Sequence, residues 1–133
     1  MKEKRIKVLM IEPNKYPCVV ELKNDLDSLQ KAVSIGAPEQ GLIEFVYLED
    51  NVSILCNEEG KLIGLEPNRR LGEDILCGVF YVVAESNNGD LKSLTQEQQD
   101  RYSKIFWDPD AIDETEIERT VFSIFYGGDR YGI

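Results

Sequence analysis

Short β-patterned segments follow one another in this chain, and most of the links between them are too short to hold a crossover helix. "RIKVLMIE" (Arg5–Glu12) is β-rich and stops at "PNKYP". "CVVELK" (Cys18–Lys23) comes next, so the two predict a hairpin or near-hairpin with a loop too long and proline-rich for a two-residue turn. "LIEFVYLED" and "VSILCNEEGKLIGL" continue the pattern, with turn signals at "EDN" and "NEEG". "DILCGVFYVVAE" (Asp74–Glu85) is the longest apolar run and predicts a central strand. A parallel doubly wound sheet needs a helix between most strands, and most of these links leave no room for one. The expected fold is α+β, a mostly antiparallel sheet of about five or six strands with one short helix on a face.

That helix is the segment where the period changes. In "NDLDSLQKAVSIG", Leu26, Leu29, Ala32 and Val33 recur at three- and four-residue spacing. Asn24 or Asp25 can cap the start, and Gly36 lies past the end, which predicts a helix from about Leu26 to Ile35. Beyond Leu91 the chain becomes helical in character. Thr95 and Gln98 have capping-box spacing, and Tyr102, Ile105 and Phe106 form an apolar stripe. Asp113 and Glu116 repeat the cap spacing, and Val121–Tyr126 fits either a strand or a helix end. The expected organisation is a sheet domain over residues 1–90 and a helical extension over 91–133. The extension would cover a sheet edge or complete a homo-oligomer.

Charge narrows the partners. The 133 residues carry a net charge of -10, with a pI near 4.5, which repels nucleic acid and anionic membrane. It suits a cytoplasmic protein, or one that meets a basic partner by charge complementarity. No run approaches the roughly 20 apolar residues that span a bilayer. Cys18, Cys56 and Cys77 are far apart and form no CxxC pair, so they read as reduced, mostly buried thiols. The chain has no histidine, which excludes a histidine triad and disfavours a zinc site. No cofactor or metal is called for.

The order of the pieces is also familiar. "IKVLMIEPNKYP", "LDSLQKAV", "IEFVYLED", "LCNEEGKLIGLEPNRRL" and "DILCGVFYVV" together resemble domain-of-unknown-function family 3846, small proteins of bacteria, plasmids and phages. The resemblance covers roughly residues 5–84, and its most specific part is Cys56–Arg69. The family supplies no reaction, ligand or catalytic residue. It implies a mobile-element context, where small accessory and anti-defence roles are common.

The residues themselves offer three readings. In "EPNRRLGED", Pro67 fixes one backbone angle, Asn68 suits a left-handed turn and Gly72 releases the chain. Arg69 and Arg70 on such a loop can hold a phosphate or carboxylate by paired hydrogen bonds, with Asn68 beside them. Tyr126 or Tyr131, in "FYGGDRYG", would supply stacking. The structural alternative ties an arginine to Glu73, Asp74 or the "NEEG" turn. No catalytic constellation is visible, so the leading expectation is a non-catalytic binder that sequesters a small anionic ligand, such as a nucleotide immune signal. The second reading is an acidic inhibitor of a host protein that uses Asp108–Glu118, a run of six acids without a base. The third is a metal-dependent enzyme using Glu58, Glu59, Glu73 or Asp74. Cys56 and Cys77 fall in step with apolar neighbours and read as core. Tyr102, Phe106 and Trp107 are expected to dock the helix, and an exposed aromatic there would mark a partner surface.

Overall fold

β1 (Arg5–Ile11) and β2 (Cys18–Lys23) pair antiparallel from Arg5↔Lys23 to Met10↔Cys18, the expected hairpin. The computed structural model describes residues 3–113 and 115–118. α1 (Leu26–Ala32) begins at Asp25, whose carboxylate accepts from Ser28 N at 2.8 Å. Such a cap contributes about 1 kcal/mol. The helix ends earlier than its periodicity suggests. Val33 closes it, the chain turns through residues 33–36, and Gly36 takes φ +83°. β3 (Ile43–Glu49) and β4 (Val52–Asn57) form a second antiparallel hairpin.

The stretch after β4 differs from expectation. "KLIGL" is a set of turns rather than a strand, and the segment read as a loop is itself a hairpin. β5 (Pro67–Leu71) pairs with β6 (Asp74–Cys77) as a small separate sheet. Gly72, in the connecting turn, has φ +60°. The long apolar run does not form one strand either. Gly78, at φ +83°, breaks it into β6 and β7 (Phe80–Glu85), so the chain leaves the small sheet and enters the large one. Glycine tolerates that backbone angle at little cost, which a β-branched residue would not.

The large sheet runs β2-β1-β7-β4-β3, with β8 (Leu91–Lys92) pairing β7 at Ala84 and Glu85, past the ladder that β7 forms with β1. All its pairings are antiparallel. β7 is central, as the apolar run predicts, and lies buried along nearly its whole length. α2 (Gln96–Ile105) has the full capping box between Thr95 and Gln98. Strand alternation sends side chains to two faces. One face, with Leu9, Ile54, Phe80 and Val82, is covered by α2 through Tyr102 and Phe106 and by the small hairpin through Leu76. The other, with Ile6, Val8, Leu55 and Tyr81, is covered by α1 through Leu29 and Val33. Each fully buried Phe or Leu in such a core contributes about 2 kcal/mol. The extension from residue 91 thus begins inside the sheet and shares its core. Tyr126, Tyr131 and Val121–Tyr126 lie outside the described residues.

Cys56 and Cys77 are buried, and burial pushes the Cys77 thiol up to about 11. Cys18 is exposed, a correction to the reading of mostly buried thiols at that position. A thiol-reactive probe on native protein is therefore expected to label Cys18 quickly, and Cys56 and Cys77 only when the fold opens. Comparable rates at all three positions would contradict this packing.

Candidate functional site

The segment Cys56–Arg69 anchors the small hairpin onto the large sheet. Asn57 Oδ1 accepts from Glu59 N at 2.9 Å, which sets the turn. A Cβ on Gly60 would lie 2.6 Å from the carbonyl oxygen of Cys77, so only glycine lets the two backbones approach. Lys61 forms an ion pair with Asp74, and their side chains are 5% and 4% exposed. Asp74 Oδ1 also accepts from Ile75 N at 2.7 Å. The Asp74 of the metal-enzyme reading is thus spent inside the fold. No group of three or more metal-ligating side chains occurs among the described residues.

Asn68 and Arg69 are structural in the same way. A β-bulge between Pro67 and Arg69 lets two consecutive residues turn inward. Asn68 is fully buried, and its amide donates to the carbonyls of Ile11 and Gly78, both at 2.8 Å. Arg69 is 2% exposed and makes five hydrogen bonds. Nε and Nη2 reach Phe106 O at 3.1 and 3.0 Å, Nη2 reaches Lys15 O at 2.7 Å, and Nη1 reaches Asn68 O and Oδ1 at 3.3 and 2.8 Å. Phe106 is the C-cap of α2, so the guanidinium satisfies a helix-end carbonyl and sits at the negative end of the helix dipole. Burial lowers its pKa, and Asp110 and Asp108 oppose that shift. With its donors committed to protein oxygens, Arg69 has little left for a ligand.

Arg70 points the other way and is 43% exposed. Its guanidinium meets Glu116 through Nε at 3.0 Å and Nη2 at 2.9 Å, and Asp110 at 3.6 Å. Nη2 also donates to Ala111 O, and Arg70 N donates to Asp110. The bond to Glu116, with the nearby carboxylates, raises its pKa. These contacts also bear on the acidic run. Asp110 and Glu116 serve Arg70, and Asp113 Oδ1 caps Glu116 N at 2.9 Å, so these three acids are engaged within the chain.

Beside Arg70 lies a groove of about 530 Å³ between β5, the end of β3 and α2. Leu48, Leu71, Tyr102, Ile105 and Phe106 give it apolar walls. Its charged lining is Arg69, Arg70, Arg101 and Lys104 against Glu49, Asp108 and Asp110. Arg101 and Lys104 are one helical turn apart on α2. Arg101 grips Glu49 at 3.0 and 3.1 Å, and the Tyr102 hydroxyl donates to the same carboxylate. Burial first, and that bond second, push the Tyr102 phenol up to about 12. Among the described residues Lys104 makes no ion pair. Sequence reasoning found Arg70 but missed Arg101, Lys104 and Glu49; the i, i+3 basic spacing beside the Tyr102 stripe was the available signal. Trp107 stays half exposed, its ring stacked 4.6 Å from that of Tyr16. Tyr102 and Phe106 dock the helix as expected, while Trp107 does not.

No helix among the described residues is long and apolar enough to cross a membrane. No curated protein and no solved structure matches the chain. A family match does exist, and it runs from the second residue of β1 to the C-cap of α2. The chain belongs to the family described as a domain of unknown function, DUF3846, whose pattern matches residues 6–106.

Proposed function

We propose that the protein is a non-catalytic binder and that the groove beside Arg70 takes a small molecule with an anionic group. The observation that carries this reading is the local charge. In a chain of net charge -10, Arg70, Arg101 and Lys104 gather on one concave, partly apolar surface, and Lys104 makes no ion pair among the described residues. About 530 Å³ falls in the range of small-molecule sites and suits a nucleotide. Arg70 supplies the planar fork for a phosphate, and Lys104 adds a point charge. Glu116 and Asp110 hold Arg70 meanwhile, but exposed pairs contribute only about 0–1 kcal/mol, so a phosphate can displace them. Binding without turnover fits sequestration, as an anti-defence sponge for a nucleotide signal would require.

Thermal unfolding with adenosine monophosphate, cyclic dinucleotides and inorganic phosphate tests the reading. At saturating probe the wild-type melting temperature is expected to rise by about 5 °C or more. Arg70→Ala is expected to abolish that rise while the unliganded protein melts within about 2 °C of wild type. Glu116→Gln, which loosens the internal competitor, is expected to strengthen binding. A shift preserved in Arg70→Ala, or no shift with any probe, would overturn the proposal.

A further inference from the structure

A second concavity lies between the segment after α1 and the turns after β4, and it is independent of the groove beside Arg70. Its walls come from residues 38–42 and from Asn57, Glu58, Glu59 and Ile63, and it encloses about 200 Å³. That is less than a drug-sized ligand needs, but it accommodates an apolar side chain from a partner.

Both walls are fixed in place. Gln40 Nε2 donates to Asp27 at 3.1 Å and to Gln30 at 2.9 Å, and Gly41 N donates to Ser34 Oγ at 2.9 Å. Glu58 N donates to Leu42 O at 2.9 Å, which ties one wall to the other. Asn57 braces the base through Val33 O at 3.3 Å and Glu59 N at 2.9 Å. A Cβ on Gly41 would lie 2.7 Å from Asn57 Nδ2, so the walls meet this closely only with glycine there. A preformed concavity avoids much of the ordering cost of binding.

The lining then selects the occupant. Leu42 is 63% exposed and Ile63 is 39% exposed, with exposed Leu62 alongside. Glu39, Glu58 and Glu59 supply the charge, and no lysine or arginine occurs among the described lining residues. Nucleic acid and other anionic partners are repelled, and so is a second copy of a chain with net charge -10. The carboxylates are not gathered into a metal site among the described residues.

The geometry points to a docking site for a basic protein segment. One apolar side chain of the partner enters between Leu42 and Ile63, and flanking lysines or arginines face Glu39 and Glu59. The apolar anchor supplies residence time, and the charges supply encounter rate and selectivity.

The test is fluorescence anisotropy with a labelled synthetic peptide in which one leucine is flanked by lysines on both sides. Wild type is expected to bind it. Leu42→Ser with Ile63→Ser is expected to weaken binding by about ten-fold, and Glu39→Lys with Glu59→Lys by about ten-fold or more. Replacing the peptide's leucine by glycine is expected to weaken binding as much as the serine pair. The control pair Glu21→Lys with Glu97→Lys changes net charge equally on other exposed surfaces and is expected to weaken binding by no more than about two-fold. Absence of binding, or equal losses in the groove and control pairs, would overturn the proposal. So would serine variants that bind as wild type does.

Discussion

Arg69→Ala is expected to destabilise the fold by about 3 kcal/mol or more, a large share of the roughly 5–15 kcal/mol that holds a domain of this size. The reason lies in what the substitution leaves behind. Phe106 O loses two donors, and Asn68 O, Asn68 Oδ1 and Lys15 O lose one each, all buried contacts except the part-buried one to Lys15. Buried acceptors left without a partner cost about 1–3 kcal/mol apiece, though water entering the new cavity reduces the sum. Arg69 is also the link between the β1–β2 loop, the small hairpin and the end of α2. Lysine restores the charge but not the planar fork, so Arg69→Lys is expected to fall between wild type and alanine. Denaturant unfolding measures the loss, and a midpoint for Arg69→Ala close to wild type would show that these bonds contribute little.

Lys61→Met is expected to cost about 3–5 kcal/mol, because it leaves the Asp74 carboxylate buried without its counter-ion. Asp74→Leu alone is expected to cost a similar amount by stranding the ammonium. The double variant Lys61→Met with Asp74→Leu is expected to recover most of the loss, since burying an ion pair costs nearly as much desolvation as its attraction returns. The pair sits where the turns after β4 meet the first residue of β6, so the single variants loosen the attachment of the small hairpin. A double-mutant cycle reads the coupling. Additive losses, with no recovery in the double variant, would contradict a tight buried pair.

These two predictions mark where the sequence was legible and where it was not. β-rich patterning between turn signals identified β1, β2, β3 and β4, and a continuous apolar run identified β7, which is buried on both faces. The caps of α1 and α2 were readable for a similar reason, since Asp25 with Ser28 and Thr95 with Gln98 lie within one turn of each other. The Gly78 break was hidden inside a continuous apolar run. Composition on its two sides is the same, and only the backbone angle at the glycine separates the two sheets. "PNRRL" looked like a loop because proline, asparagine and paired arginines are poor strand formers, yet tertiary bonds override that preference.

The roles of the two arginines were the least legible part. Arg69 bonds to residues 37 and 54 positions away, and Arg70 to one 46 positions away. Nothing local in the sequence encodes such partners. The two adjacent arginines point apart, which separates one committed to the fold from one exposed beside a groove. The segment that looked most like a ligand loop is mainly an anchor for the small hairpin, and the groove borrows only Arg70 from it. The acidic stretch after α2 looked like a free anionic surface, but Asp110, Asp113 and Glu116 are used within the chain.

Native mass spectrometry of gently purified protein, wild type beside Arg70→Ala, tests the binding account most directly. The account predicts a retained or readily added anionic small molecule on the wild type that is missing from Arg70→Ala, while both variants stay folded. Wild-type protein that takes up no nucleotide or phosphate-bearing compound, or the same adduct on both proteins, would contradict it.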